Sequence, residues 1–454
     1  MPTRCARTAK IPVAGPARLY GCAPGRPRGG RLTEEVAGMA IDFTLTAEQR
    51  ELRLAARDFA AKVLTEVGPA TRHLPTAEQR WRATRPIYEQ VVASGWLSKI
   101  LPVPVGGQCQ GMVDLALIAE EFVAVDSNVS LTLFAVTLGL TPLMAAGSPE
   151  QFAEHFGPFL AEEGAPLAAF AFSEPGGSAN WDAPAPAEGV RTTAVLDGDE
   201  WVINGAKRWV SSAGGWDGGG PDLLAVVCRT DADAAPDEAL SVILVPGPTE
   251  GLVLEESLEL LGHRAHQVPT VSLNDVRVPR RNILGGPGAG RQIVTGSFVP
   301  TAALVGVFAL AKMRAAVEFA LEFARAERRA GAVPIIEHQA VGYALADAKG
   351  AMEAVRYLCW KACHALDTGS PAAAELALHA KVFGSETAVR VITDLMRVVG
   401  IESYSEENPL AEILRDALVY PVFDGGNLGV RRRQLHAMLA APGYDPSATW
   451  LAEA

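Results

Sequence analysis

The sequence predicts a mostly α protein with a β middle domain, flanked by an N-terminal helical domain and a C-terminal four-helix bundle. Three observations carry this. Apolar residues recur at helical spacing through the first third of the chain. Near Ala168 the period changes to short β-prone runs punctuated by turn dipeptides. After Gly290 long helical stretches return and continue almost to the end. The boundaries read as 1–38 for a basic extension, 39–166 for the first helical domain, 167–290 for the β domain and 291–454 for the bundle.

Residues 1–38 hold Arg4, Arg7, Lys10, Arg18, Arg26, Arg28 and Arg31, many Pro and Gly, and no acid before Glu34. Too few large apolar side chains are present to anchor such a segment, so it reads as disordered, with Met39 as an alternative start. Thr46-Ala47-Glu48-Gln49 is then a capping box, and Leu52, Ala55, Ala56, Phe59 and Val63 line one helical face. Further helices are predicted over 85–94, 112–125 and 131–146, with a Pro104-Val105-Gly106-Gly107 break between the first two. In the middle, Asp197-Gly198 and Asn204-Gly205 read as tight hairpin turns, because both positions of each tolerate positive φ. Strands are predicted over 223–228, 241–245, 251–255 and 268–278, all in an antiparallel domain. The bundle is assigned helices at 301–329, 338–366 and 371–399, and a pair bracketing Asp424.

Composition bounds the partners. A formal net charge of −12 argues against nucleic acid or an anionic membrane. No apolar run is read as reaching the roughly 18 residues of a membrane span. The six cysteines (Cys5, Cys22, Cys109, Cys228, Cys359 and Cys363) are scattered without zinc-like spacing, so no metal is expected and the protein reads as cytoplasmic.

Chemistry converges on residues 419–434. Asp424 follows a helix-like run (412–420) and precedes Gly425-Gly426; a second helical run begins near Leu428. On local sequence alone an acid there reads first as a turn former. Flanked by Val422 and Phe423, it can also point into an apolar space, where burial raises its pKa and makes it a base near neutral pH. Arg431, about two turns into the next helix, is placed to fold back towards it.

Five motifs in order then carry a resemblance. They are Phe170-Ala171-Phe172-Ser173-Glu174-Pro175-Gly176-Gly177, Lys207-Arg208-Trp209-Val210-Ser211-Ser212, Val276-Arg277-Val278-Pro279-Arg280-Arg281-Asn282-Ile283-Leu284, Glu337-His338-Gln339 and the Asp424 stretch. From about Met39 onward the chain resembles the acyl-CoA dehydrogenase superfamily of flavoproteins and, within it, the nitroalkane oxidases. The resemblance implies FAD lying between the β domain and the bundle. Phe170, Phe172 and Ser173 would line the ring, Trp209 would pack on it and Ser211 would bond its edge near N5. Ser178 and Ala179, with Asn180, stand where dehydrogenases usually have Gly-Ser-Asp. Arg328 or Arg329, with Gly400 and Asn427, would complete the cofactor site, in part from a neighbouring subunit of a homotetramer. Where the family has a Gln before its Gly-Gly, this chain reads Arg397-Val398-Val399-Gly400-Ile401.

The base region departs from the dehydrogenases. They commonly carry Tyr-Glu-Gly-Thr where this chain has Phe423-Asp424-Gly425-Gly426. The resemblance to nitroalkane oxidase implies an Asp424 base, an Arg431 partner and a hydroxyl beside the base from Thr301, with Ser297 as a rival. Phe298 and Phe423 would flank the substrate. The implied reaction is α-proton abstraction from a nitroalkane, flavin reduction, and release of nitrite and an aldehyde or ketone. Oxygen would then reoxidise the flavin to give hydrogen peroxide. The alternative is an acyl-CoA dehydrogenase forming trans-2-enoyl-CoA, with an electron-transfer flavoprotein as acceptor. In a third reading, a flavin-binding subunit without catalysis, Asp424 and Arg431 form only an ion pair.

Overall fold

The computed structural model describes residues 43–182, 188–231, 233–235 and 238–451. The basic extension therefore lies outside the described residues. Eight helices come first: α1 (Ala47–Val63), α2 (Val67–Thr71), α3 (Ala77–Ala93), α4 (Trp96–Ile100), α5 (Met112–Val125), α6 (Asn128–Ala146), α7 (Pro149–His155) and α8 (Gly157–Leu160). The Thr46/Gln49 capping box is formed, and a second one at Thr76/Gln79 starts α3. Helix α6 begins three residues earlier than predicted. The Asp126 carboxylate accepts from Val129 N at 2.7 Å and from Asn128 Nδ2 at 2.9 Å, which caps the start.

Seven strands follow: β1 (Ala168–Ala171), β2 (Thr193–Asp197), β3 (Glu200–Arg208), β4 (Leu223–Arg229), β5 (Leu240–Pro246), β6 (Leu252–Glu256) and β7 (Thr270–Pro279). The sheet is mixed rather than purely antiparallel. β1 runs parallel to β4, and β2 meets β4 in parallel at Thr193, while β2–β3, β3–β7, β6–β7 and β4–β5 are antiparallel. The β2–β3 turn falls one residue later than read, on Gly198-Asp199: Asp197 ends β2 paired with Glu200, and Gly198 takes φ +62°. Asn204-Gly205 makes no turn; it lies inside β3, at a register shift between Ile203 and Gly205. A Cβ on Gly205 would meet Thr192 Oγ1 at 2.6 Å, so the glycine serves close packing and a bulge.

The remainder is helical: α9 (Gly290–Ala326), α10 (Gln339–Asp367), α11 (Ala373–Val399), α12 (Pro409–Ala417), a π-type turn (Asn427–Arg431) running into α13 (Arg432–Leu439), and α14 (Ala448–Leu451). Helix α9 starts at Gly290, well before residue 301, and runs through Pro300, a residue that usually ends or kinks a helix. Helices α6 and α9 are long and apolar enough to cross a membrane, contrary to the sequence reading. Yet 78% and 72% of those stretches are buried inside the protein, as core helices are. Helices α9 and α11 cross at Gly306 and Gly384, where a Cβ on Gly306 would stand 2.8 Å from Ala380 O.

Buried charges join the parts. Glu120 and Glu121 of α5 are paired with Arg314 of α9, Arg356 of α10 and Arg53 of α1. Asp416 of α12 meets Lys312 of α9 at 3.1 Å and accepts from His263 N at 2.8 Å, which ties the loop before β7 to the bundle. Charges this buried persist only when paired. The four described cysteines are all buried and free.

Candidate active site

The chain breaks between α12 and the π-type turn in a left-handed conformation, with Asp424 at φ +50° and Gly425 at φ +71°. Asp424 itself takes the unusual conformation that the sequence assigned to the glycines beside it. Its carboxylate is held from two directions. Thr301 Oγ1, on α9 directly after Pro300, lies 3.0 Å from Oδ1. Arg431 Nη2 donates to Oδ2 at 2.9 Å, and Arg431 Nε donates to the Asp424 carbonyl at 2.9 Å. One guanidinium thus grips both the side chain and the backbone of the same residue. A Cβ on Gly425 would stand 2.8 Å from Arg431 Nε, which is why the next position is glycine.

Two expectations are corrected here. Arg431 closes the first turn of the second helix rather than lying two turns in. Asp424 is not an acid alone in an apolar space: it is ion-paired, with 6% side-chain exposure against 2% for Arg431. Most of the guanidinium is committed to the protein, since Nη1 donates to Gln434 Oε1 at 3.2 Å and Nη2 to Phe298 O at 3.3 Å. Of the two hydroxyl candidates, Thr301 reaches the carboxylate. Ser297 Oγ donates to Ile293 O at 2.9 Å, one turn back along its own helix.

Aromatic rings gather one turn along α9 from Thr301, the hydroxyl partner of this acid. Phe298, one turn before Thr301, stacks on Phe170 at 5.4 Å and tilts against Phe172 at 5.5 Å; Phe172 meets Trp181 edge-on at 5.7 Å. Phe423 is half-buried and leans on Tyr420 at 5.8 Å. The β domain and the bundle therefore meet through the predicted ring-lining residues, and Trp181 joins them unpredicted.

On the β side, the first two motifs are linked through Glu174 and Lys207. Lys207 is fully buried; its Nζ donates to Glu174 Oε1 at 2.9 Å and to Val227 O at 2.7 Å. Burial pushes the Glu174 carboxyl up, but the Lys207 charge and the bond from Thr192 outweigh it and hold it at about 2. This pair sets the Phe172–Ser173 turn, where Ser173 and Ser178 hydroxyls lie 3.2 Å apart. Trp209 is left-handed at φ +65° and 56% exposed, with the Arg208 guanidinium 5.3 Å from its ring. Ser211, half-buried beside it, lies 3.0 Å from His266 Nε2. Ala179 is exposed and faces Gly429 of the π-type turn. An uncovered flat indole with hydroxyls along one edge fits a planar heteroaromatic ring with a polar rim.

The remaining predicted cofactor residues lie elsewhere. Asn427 is 2% exposed and its side chain is spent inside the bundle: Oδ1 accepts from Lys381 at 2.8 Å, and Nδ2 donates to Ser385 at 2.9 Å and Glu386 at 3.1 Å. That corrects its assignment to the cofactor. Arg328 turns onto its own loop, donating to Ala332 O. Arg329 pairs with Glu402 at 2.9 Å and sits beside Gly400. Both lie beyond the far end of α9, about 38 Å from Thr301 at 1.5 Å per residue.

Lys381 escaped the sequence reading. It is fully buried on α11, and burial pushes its ammonium down to about 8, with the Asp424 charge partly offsetting that. Its signal was present: a lysine on a stripe with Ala377, Gly384 and Ala388, all core positions.

Comparison with known proteins places the whole assembly. The acyl-CoA dehydrogenase N-terminal, middle and C-terminal domain families match residues 46–163, 169–276 and 288–439. The chain is 41% identical to "Nitroalkane oxidase" of Podospora anserina over 90% of its own length and 98% of that protein. A nitroalkane oxidase active-site mutant crystallized with 1-nitrohexane superposes with a TM-score of 0.88 at 36% identity, covering 90% of this chain and 100% of that one. Butyryl-CoA dehydrogenase from Megasphaera elsdenii superposes with a TM-score of 0.76 at 26% identity, covering 87% and 100%. With three matched domains, this identity and a site built where the β domain meets the bundle, the chain belongs to the acyl-CoA dehydrogenase family of flavin-dependent oxidoreductases.

Proposed function

We propose that this protein is an FAD-dependent nitroalkane oxidase, with Asp424 as its base. The observation that carries the reading is the Asp424 carboxylate, held at Oδ1 by Thr301 and at Oδ2 by Arg431 beside the Phe298–Phe170–Phe172 wall. Asp424 removes the α-proton of a neutral nitroalkane bound against that wall. Its lone pairs not used by Thr301 and Arg431 receive the proton. Arg431 keeps a positive charge next to the reacting region as the substrate becomes an anion, and Thr301 keeps the carboxylate from swinging away. The bound flavin supplies the electron acceptor, and oxygen takes the electrons on as hydrogen peroxide. Water supplies the carbonyl oxygen as the carbon–nitrogen bond breaks, and nitrite and an aldehyde or ketone are the products.

FAD is assigned to Phe170, Phe172, Ser173, Ser178, Trp209 and Ser211. Arg329, beyond the far end of α9, and Gly400 beside it are too far from Thr301 to share that site within one chain. Beside them Ile401 and Tyr404 are 83% and 82% exposed, an apolar surface that a neighbouring copy in a homotetramer would cover. Acyl-CoA dehydrogenation is the second reading, favoured by the shared fold. Against it stand Asp424 in place of the usual Glu and the commitment of Arg431 to that shorter acid.

Anaerobic mixing of the purified holoenzyme with nitroethane and, separately, with butyryl-CoA decides between them. Bleaching of the flavin by nitroethane is the expected result, with nitrite and peroxide released in air. Bleaching by the thioester alone overturns it.

A further inference from the structure

Lys381 is fully buried on α11, at a core position that packing alone would fill with an apolar side chain. Taking its ammonium out of water is costly, and an apolar residue of similar volume is often no less stabilising in such a place. Its bonds show what the charge holds. Nζ donates to Asn427 Oδ1 at 2.8 Å and to Tyr420 O at 3.3 Å. Tyr420 precedes Asp424 by four residues and Asn427 follows it by three, so one ammonium ties together the two sides of the break that carries the acid. Asn427 N also donates to Pro421 O at 2.8 Å, closing the neck of that break.

The Asn427 amide is itself fixed. Nδ2 donates to Ser385 Oγ at 2.9 Å and to Glu386 Oε1 at 3.1 Å, which leaves Oδ1 for Lys381. Glu386 is gripped in turn by Nη1 and Nη2 of Arg432, both at 2.7 Å, where α13 begins. Helix α11 therefore fixes the chain on both sides of the break, whereas Thr301 and Arg431 fix the Asp424 carboxylate within it. Burial pushes the Lys381 ammonium down to about 8; the charges of Asp424 and Glu386 work against that, and the charge of Arg431 works with it.

We propose that Lys381 is a positioning residue for the base, keeping the Asp424 carboxylate where it can take the α-proton of the substrate. This role rests on the reading of Asp424 given above. Asp424 sits at φ +50°, a conformation that the surrounding segment has to impose. With the neck untied, the acid keeps Thr301 and Arg431 within reach but spends less time in the reactive place.

Stopped-flow reduction of the holoenzyme flavin by two substrates tests this. Neutral nitroethane needs the base, and preformed ethyl nitronate does not. Lys381→Met nearly preserves the side chain's length and removes both of its bonds. Reduction by nitroethane should slow about tenfold, as one lost bond to a charged group gives, while the nitronate rate stays within about twofold of wild type. Asn427→Ala leaves Lys381 in place and cuts its link to the far side of the break, so it should show the same selective loss. In an Asp424→Asn background, Lys381→Met should slow nitroethane no further, because the two residues act through one carboxylate. A role in folding alone would slow both substrates together or loosen FAD. Equal loss on both substrates, or an unchanged nitroethane rate in both variants, overturns the proposal. Wild-type flavin bleached by neither substrate overturns the functional reading, and this role with it.

Discussion

Replacing Arg431 with lysine tests whether Asp424, the proposed base, works only while its backbone is held. Arg431 donates to both the carbonyl and the carboxylate of Asp424, each at 2.9 Å, and to Phe298 O and Gln434 besides. The gripped residue sits at φ +50°, a region that costs most L-residues about 1–2 kcal/mol, though Asp tolerates it better than most. A lysine ammonium is a point donor and cannot span two oxygens as the planar fork does. Losing one charge-assisted bond of about 1.5–3 kcal/mol lets the segment relax and the carboxylate leave its place beside Thr301. At about 1.36 kcal/mol per factor of ten, the anaerobic rate of flavin reduction by nitroethane should fall about 10- to 150-fold. Stopped-flow absorbance of the flavin reads that rate. FAD content and a melting curve, both expected near wild type, separate the effect from unfolding. A rate within about twofold of wild type, with flavin bound, would show that Asp424 is positioned without Arg431 and refute the reasoning.

Three further outcomes are expected. Asp424→Asn should slow flavin reduction by neutral nitroethane about 10²–10⁴-fold with FAD retained, and preformed ethyl nitronate should restore it; undiminished reduction by nitroethane would remove Asp424 as the base. Gly425→Ala places a Cβ 2.8 Å from Arg431 Nε at φ +71° and should lower both the melting temperature and the reduction rate, so an unchanged melting temperature would contradict the geometry. Glu174→Gln removes the anion that pairs the buried Lys207, costing about 3–5 kcal/mol at neutral pH. The Glu174 carboxyl is held at about 2, below its ordinary 4.5. Its contribution is therefore fully present above about pH 4.5 and is lost as pH falls towards 2, so the gap between wild type and variant should narrow over that window. Denaturant titrations across it check this, and a constant gap would exclude the ion pair as the cause.

The sequence by itself determined the order of helices, strands and helices, the capping box at Thr46 and the break at Asp424-Gly425-Gly426, because each follows from neighbours within one or two turns. It also determined the candidates: an acid at that break, an arginine seven residues on, and two hydroxyls near Phe298. What it misread in the β domain was local pattern without context. Asn204-Gly205 has the composition of a hairpin turn, but pairing with β7 and the close approach of Thr192 make it a bulge.

Only the tertiary structure decided between Thr301 and Ser297. Both sit on α9 four residues apart, and the choice depends on which face of that helix looks across 123 residues of chain to Asp424. The same holds for Lys381 inside α11 and for His266 behind Ser211, whose partners come from other elements. Asn427 and Asp424 lie three residues apart at one break, yet one bonds Lys381 inside the bundle and the other is held by Thr301 and Arg431. Hydrogen bonds and ion pairs are short-ranged and directional. Spacing along the chain can nominate their members, but packing of α9, α11 and the β domain against one another assigns each its partner.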